Sequence, residues 1–286
     1  PLLGYGVNLY RVLMVVAFFL IWNIYPSGMK AKKWLQACGV AILAFLAVTF
    51  RTPEGGFFRA GWWGILGLIG WAYCFCAVSY LLARRKPFRL FLLWLVLIVV
   101  NMLLTPLRDG AYVLEGQTFI NDMAGALRLG NASCAIMAMG GVLLSLAERR
   151  LSQQSGRARI ACALAASFLL AASAAVTHQW WIVSKILGTL PWCLYVSAIS
   201  VILYMLLRIM EAYGRTSWFK PLSPSGTATL TVYMMPYVLY GISGFMGLSS
   251  PEWLCGPVGL LKCVLFSLLC VALAGLAGRT GLKLKI

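Results

Sequence analysis

One segment gathers an imidazole, a hydroxyl and an ammonium beside two indoles: His178-Gln-Trp-Trp-Ile-Val-Ser-Lys185. His178 is the chain's one histidine, and imidazole is the side chain best suited to move a proton near neutral pH. A carboxylate such as Asp122 would orient that ring or raise its basicity, which makes His178 and Asp122 the candidate catalytic pair. A plainer reading stands beside this one. Paired tryptophans anchor helices at membrane boundaries, and a histidine next to them often serves only as an interfacial polar group.

Other polar side chains stand inside apolar stretches, where an ionisable group is costly and usually faces a cavity or a partner. Arg11 has three uses open to it: snorkelling outward, pairing with an acid such as Asp122, or receiving an anionic substrate. Lys262 fits snorkelling to an interface. Asn101 and Asn131 suit hydrogen bonding between helices or contact with a ligand. Pro236 frees a backbone carbonyl in its helix and predicts a kink there.

The elements that must carry these groups are apolar helices. The 286 residues are 62% hydrophobic and 11% charged, and the mean hydropathy is +0.87, far from the balance of a soluble domain. A helix crosses the hydrocarbon layer with about 20 apolar residues. Runs of that kind lie at Val7 to Tyr25, Lys33 to Phe50, Trp62 to Ala83, Phe88 to Pro106 and Leu129 to Ala147. Four more lie at Ile160 to Thr177, Pro191 to Met210, Gly226 to Phe245 and Pro257 to Ala277. The fold expected is therefore an all-α, polytopic membrane bundle of about nine spans, forming one transmembrane domain over 1–286. Membrane lipids are its first partners.

The net charge of +17 is spread over short loops, which argues against nucleic acid as a partner. Seventeen of the 24 basic residues fall in or beside every second gap and the C-terminal tail, accompanied by Glu148 and Glu211. The alternate gaps hold Arg51, Arg59, Arg108, Arg128 and Lys185 against five acids. The positive-inside rule then places the C-terminus in the cytoplasm and Pro1 outside. An external first residue without an initiator Met or signal pattern predicts further helices upstream. The nine cysteines lack disulfide or metal spacing and read as packing residues, so no metal is expected. The longest gap, Leu107 to Arg128, falls outside and contains Thr118-Phe-Ile-Asn-Asp122, which reads as a short re-entrant or interfacial turn or as a solvated connector.

Three segments carry a family resemblance: Gly61-Trp-Trp-Gly-Ile-Leu-Gly-Leu-Ile-Gly-Trp-Ala-Tyr73, Trp181-Ile-Val-Ser-Lys-Ile-Leu-Gly-Thr-Leu-Pro-Trp192 and Ser225-Gly-Thr-Ala-Thr-Leu-Thr-Val-Tyr-Met-Met-Pro-Tyr237. In order and spacing they resemble the bacterial branch of the heparan-α-glucosaminide N-acetyltransferase-like membrane proteins. Where lysosomal members have a polar Gln-Arg pair, this chain reads Gly67-Leu68. The family's N-terminal Leu-Asp-x-x-Arg-Gly phrase and external His loop are not found, and His178 is a different position from the family's principal histidine.

The resemblance implies acetyl transfer from cytoplasmic acetyl-CoA, the co-substrate, to an amino sugar or related glycan outside. On that view Arg84, Arg85, Lys86, Arg149 and Arg150 attract the CoA phosphates, although lipid headgroups and orientation explain such loops equally well. Asp122, Asn121, Asn131 and Lys185 recognise the sugar, with Arg11 and Asn101 as further substrate contacts. A homo-oligomer is compatible with this reading. A secondary transporter or flippase for a sugar is the alternative; the lack of an internal repeat weighs against it.

Overall fold

The computed structural model describes residues 6–52, 55–58, 64–84, 86–114, 118–247, 251, 254 and 256–284, with backbone alone at 65 and 66. The helices are α1 (Val7–Trp22), α2 (Lys32–Thr49), α3 (Ile65–Leu82), α4 (Pro87–Leu104), α5 (Thr118–Ala126) and α6 (Ser133–Leu151). They continue as α7 (Gly156–Thr177), α8 (Leu190–Ala212), α9 (Ser223–Thr227), α10 (Thr229–Phe245) and α11 (Gly256–Arg279), with a 3-10 helix at Ser217–Leu222 before α9. Among the described residues the one β contact is an isolated bridge between Asn23 and Leu284.

Local chemistry explains several boundaries. Pro87 opens α4 and Pro191 lies in the first turn of α8, where a missing N–H costs nothing. The Ser155 hydroxyl caps α7 by accepting from the Ala158 amide at 3.2 Å. The helix α10 runs through Pro236.

Each of the nine apolar stretches holds a helix, but among the described residues length and composition mark five as candidate membrane spans: α2, α4, α7, α8 and α11. This departs from the nine expected. The helices α1 and α10 have 16 and 17 residues, about 24 to 26 Å at 1.5 Å per residue, short of a hydrocarbon layer about 30 Å thick. The last turn of α6 carries Glu148, Arg149 and Arg150. Large apolar side chains face outward, among them Phe168 and Leu169 on α7 and Leu260 and Leu265 on α11. Such a surface suits lipid, and the chain is a helical protein of membrane type.

Contacts divide the chain into two compact units, Pro1–Ala60 with Thr216–Ile286, and Gly61–Arg215. In the first, α1 packs on α2 and α10, and α10 on α11. Close approach depends on Gly39, where a Cβ would sit 2.9 Å from the Ala17 carbonyl oxygen and 2.7 Å from Ile21 Cγ1. Tyr10 donates to the Leu46 carbonyl, and Gln36 Nε2 to that of Ile21 at 3.0 Å. The C-terminal segment is tied in as well: Ile24 N donates to the Lys283 carbonyl at 2.9 Å, and Leu284 N to the buried Thr231 hydroxyl at 3.0 Å.

In the second unit α6 is central, touching α3, α4 and α8, while α7 pairs with α8. Its core is Leu90, Leu97, Ile136, Met139 and Cys193 with their neighbours. Two polar fasteners close the unit at opposite ends. At one end Glu148 of α6 meets Arg159 of α7 at 3.5 Å and Arg208 of α8 at 3.4 Å. At the other, the buried Asn101 amide and the half-buried Asn131 amide join the end of α4 to the starts of α6 and α8.

Candidate functional site

The amide fastener is built on a segment that is not helical. Between α7 and α8 the chain runs from His178 to Thr189 through turns, and irregular backbone near membrane depth must find partners inside the protein. Asn101, fully buried on α4, supplies two: its Nδ2 donates to the Asn131 carbonyl at 2.7 Å and the Gly188 carbonyl at 2.9 Å. Asn131 Nδ2 donates to the Leu187 carbonyl at 2.6 Å, and its Oδ1 accepts from Ser133 N at 3.3 Å. Trp181 Nε1 donates to the Thr105 carbonyl at 3.2 Å. The Thr189 hydroxyl closes the turn by donating to the Ile182 carbonyl at 2.6 Å and accepting from Ser184 N at 3.1 Å.

The geometry is tight enough to dictate residue type. Gly188 has φ +57°, and a Cβ there would lie 2.7 Å from Ser133 Oγ and 2.8 Å from Asn131 Nδ2. Ala132, fully buried before α6, has φ +65°, a left-handed conformation that costs an L-residue about 1–2 kcal/mol. Such strain persists only where the surroundings over-determine it. The Asn101 Oδ1 is buried with no hydrogen-bond partner among the described residues.

His178 ends α7 beside this network, and its neighbour is Arg108. Arg108 Nε and Nη2 both donate to the His178 carbonyl, at 3.0 and 2.6 Å. Nη2 also lies 3.0 Å from the ring Nε2 and 3.2 Å from Nδ1, while Nδ1 is 3.2 Å from the Trp181 carbonyl. One tautomer satisfies this arrangement: Nδ1–H donates to Trp181 and Nε2 accepts from Arg108. Both ring nitrogens are thus engaged. The backbone agrees, since Arg108 N donates to the Trp180 carbonyl at 2.9 Å.

Asp122, expected to orient that ring, lies exposed on α5 with Asn121. Among the described residues no hydrogen bond or ion pair joins Asp122 to His178, and Arg108 holds the place beside the imidazole. The nine residues of α5 give Thr118–Asp122 a helical conformation, with Ala124 buried and contacts to α4. Asn101 and Asn131 meet in one network, whereas Lys185 is exposed on the turn above it. Arg11 is exposed on α1, in the other unit.

The basic residues sit at the opposite end of the second unit, in the α3–α4 turn for Arg84 and Lys86 and on the last turn of α6 for Arg149 and Arg150. Arg85 lies outside the described residues. Arg149 borders an apolar groove of about 680 Å³ between α3 and α6, lined among others by Ile69, Ala72, Cys76, Met137, Ala138 and Val142. Among the described residues the cysteines are all free thiols, and no three His, Cys, Asp or Glu side chains gather as metal ligands.

Sequence reasoning missed Arg108, Thr105, Ser133 and Thr189. Arg108 followed by Asp109-Gly110 had a turn signal, and Gly110 indeed has φ +83°. Nothing in the one-dimensional pattern paired that turn with residue 178. Comparison of the chain with family models, with curated proteins and with solved structures finds no match in any of the three.

Proposed function

We propose that the chain is a membrane-embedded acyltransferase that moves an acetyl group from cytoplasmic acetyl-CoA to an amino sugar on the outer side. The observation that carries this reading is the segment from His178 to Thr189. It is non-helical, fastened by the buried Asn101 amide and the half-buried Asn131 amide, and overlaps the resembling phrase Trp181 to Trp192. A rigidly held loop at the end of an apolar bundle is where binding groups are presented. In this reading all nine apolar helices cross the membrane, the short α1 and α10 by thinning the bilayer locally, the Arg149 end faces the cytoplasm as the charge asymmetry requires, and the membrane is a bacterial inner one.

The sugar amine approaches the Lys185 and Ser184 turn, with Asn121 and Asp122 contacting hydroxyls. Arg84, Lys86 and Arg150 hold the donor's phosphates at the other face. With the thioester threaded into the bundle, the uncharged amine attacks its carbonyl, the amine proton passes to His178 Nε2 once Arg108 has released it, the C–S bond breaks, and the imidazolium returns that proton to the departing CoA thiolate. Purified protein incubated with radiolabelled acetyl-CoA and glucosamine is expected to form acetylated sugar. Uptake of intact sugar into proteoliposomes without acetylation would make it a transporter. A folded protein giving neither CoA binding nor labelled product would overturn the enzymatic reading.

A further inference from the structure

The groove between α3 and α6 has a chemistry that the proposed reaction does not use. It runs along α6 from Cys134 to Arg149, fifteen residues, or about 22 Å at 1.5 Å per residue. Its volume of about 680 Å³ has room for about twenty groups the size of a water molecule, at ~30 Å³ each. The walls are apolar nearly throughout, and the Ser145 hydroxyl is already donated to the Gly141 carbonyl at 2.9 Å. Exposed Ile69 and Tyr73 form an open lip. Apart from the hydroxyls of Tyr73, Tyr80 and Ser145, the one strongly polar and only charged group of the lining is Arg149, at one end.

Arg149 keeps its charge available. Its neighbour Glu148 is turned to Arg159 and Arg208, and no ion pair among the described residues includes the Arg149 guanidinium. A long apolar slot ending in one guanidinium is complementary to one ligand shape: a hydrocarbon chain bearing a phosphate. The pantetheine arm of CoA fits poorly, because its two amides would lie against these walls short of partners. An acyl chain, in contrast, carries no polar group that needs a partner there.

We propose that the α3–α6 groove is a binding site for one anionic phospholipid, an acyl chain lying along Met137, Ala138 and Val142 and the phosphate paired with Arg149. The site is independent of the acetyl-transfer reading and leaves Arg84, Lys86 and Arg150 to the donor.

The test uses the protein in nanodiscs of phosphatidylcholine with a minority of phosphatidylglycerol, followed by native mass spectrometry after detergent extraction. One phosphatidylglycerol per protein is expected to stay bound, and Ala138→Phe, which fills the slot, and Arg149→Gln are each expected to lower its retention at least tenfold. Retention unchanged in Ala138→Phe, or phosphatidylcholine retained equally well, would overturn the proposal. A photoactivatable phosphatidylglycerol on the unmodified protein gives a second measurement, free of folding effects. Cross-links within 134–149 or 69–80 support the site; cross-links confined to other helices, or a protein segment found seated in the groove, sink it.

Discussion

Gly188 and Asn101 together decide whether the non-helical segment can close on the bundle. A methyl group at Gly188 meets Ser133 Oγ and Asn131 Nδ2 at under 3 Å and stands at φ +57°, so Gly188→Ala should destabilise the protein by about 2–4 kcal/mol, read as a lowered Tm in detergent. Asn101→Asp is worse than it looks on paper. It replaces the Nδ2 donor with an oxygen facing the carbonyls of residues 131 and 188, and removing donors to buried acceptors costs about 1–3 kcal/mol for each; loss of the folded monodisperse peak is the expected result. For His178, Ala is expected to lower turnover about 100-fold by removing a general base, while Arg108→Ala should retain activity because it frees Nε2. Equal losses in both variants would mark the pair as a structural clamp. The importance of Asn101 and Asn131 was visible as polar atoms in apolar runs; their partners were not. The partners are backbone carbonyls, and a carbonyl has no residue type to betray it.

Helices were the most legible level. Apolar runs located every long helix because side-chain hydrophobicity and helix length answer to the same solvent. Their ends moved by a few residues where Ser155, Pro87 and Pro191 supplied local signals that override an average over a run. The stretch Leu129 to Ala147 became Ser133–Leu151: the turn before it is spent on the Asn131 network, and its far end extends through charged residues of which Glu148 pairs with α7 and α8. That ionic fastener is weak in energy. Arg208 and Arg159 have side chains 43% and 30% exposed around Glu148, so Glu148→Gln should cost under ~1 kcal/mol, with a Tm difference that shrinks further in high salt. In the first unit, Gly39→Val should part α1 from α2 and cost about 1–3 kcal/mol, detectable as earlier proteolysis of the loop at residues 26–31.

At the scale of the whole molecule, charge placement makes the most direct claim about how the chain sits in a membrane. A cysteine introduced at Gln154, in a background without the native thiols, is expected to label only with reagents that reach the cytoplasm, and one at Asp109 from outside; the reverse pattern would invert the orientation. The division into two units was not legible, because α1, α2, α10 and α11 come together across a sequence gap of more than 150 residues that no local pattern reports. The two fasteners of the second unit have one more consequence. Neutral amides at the Asn101 end are indifferent to ionic strength, whereas charges at the Glu148 end are screened by it. Salt therefore acts on this bundle like a hand on a clothes peg, easing the jaws at Glu148 while the spring at Gly188 keeps its grip.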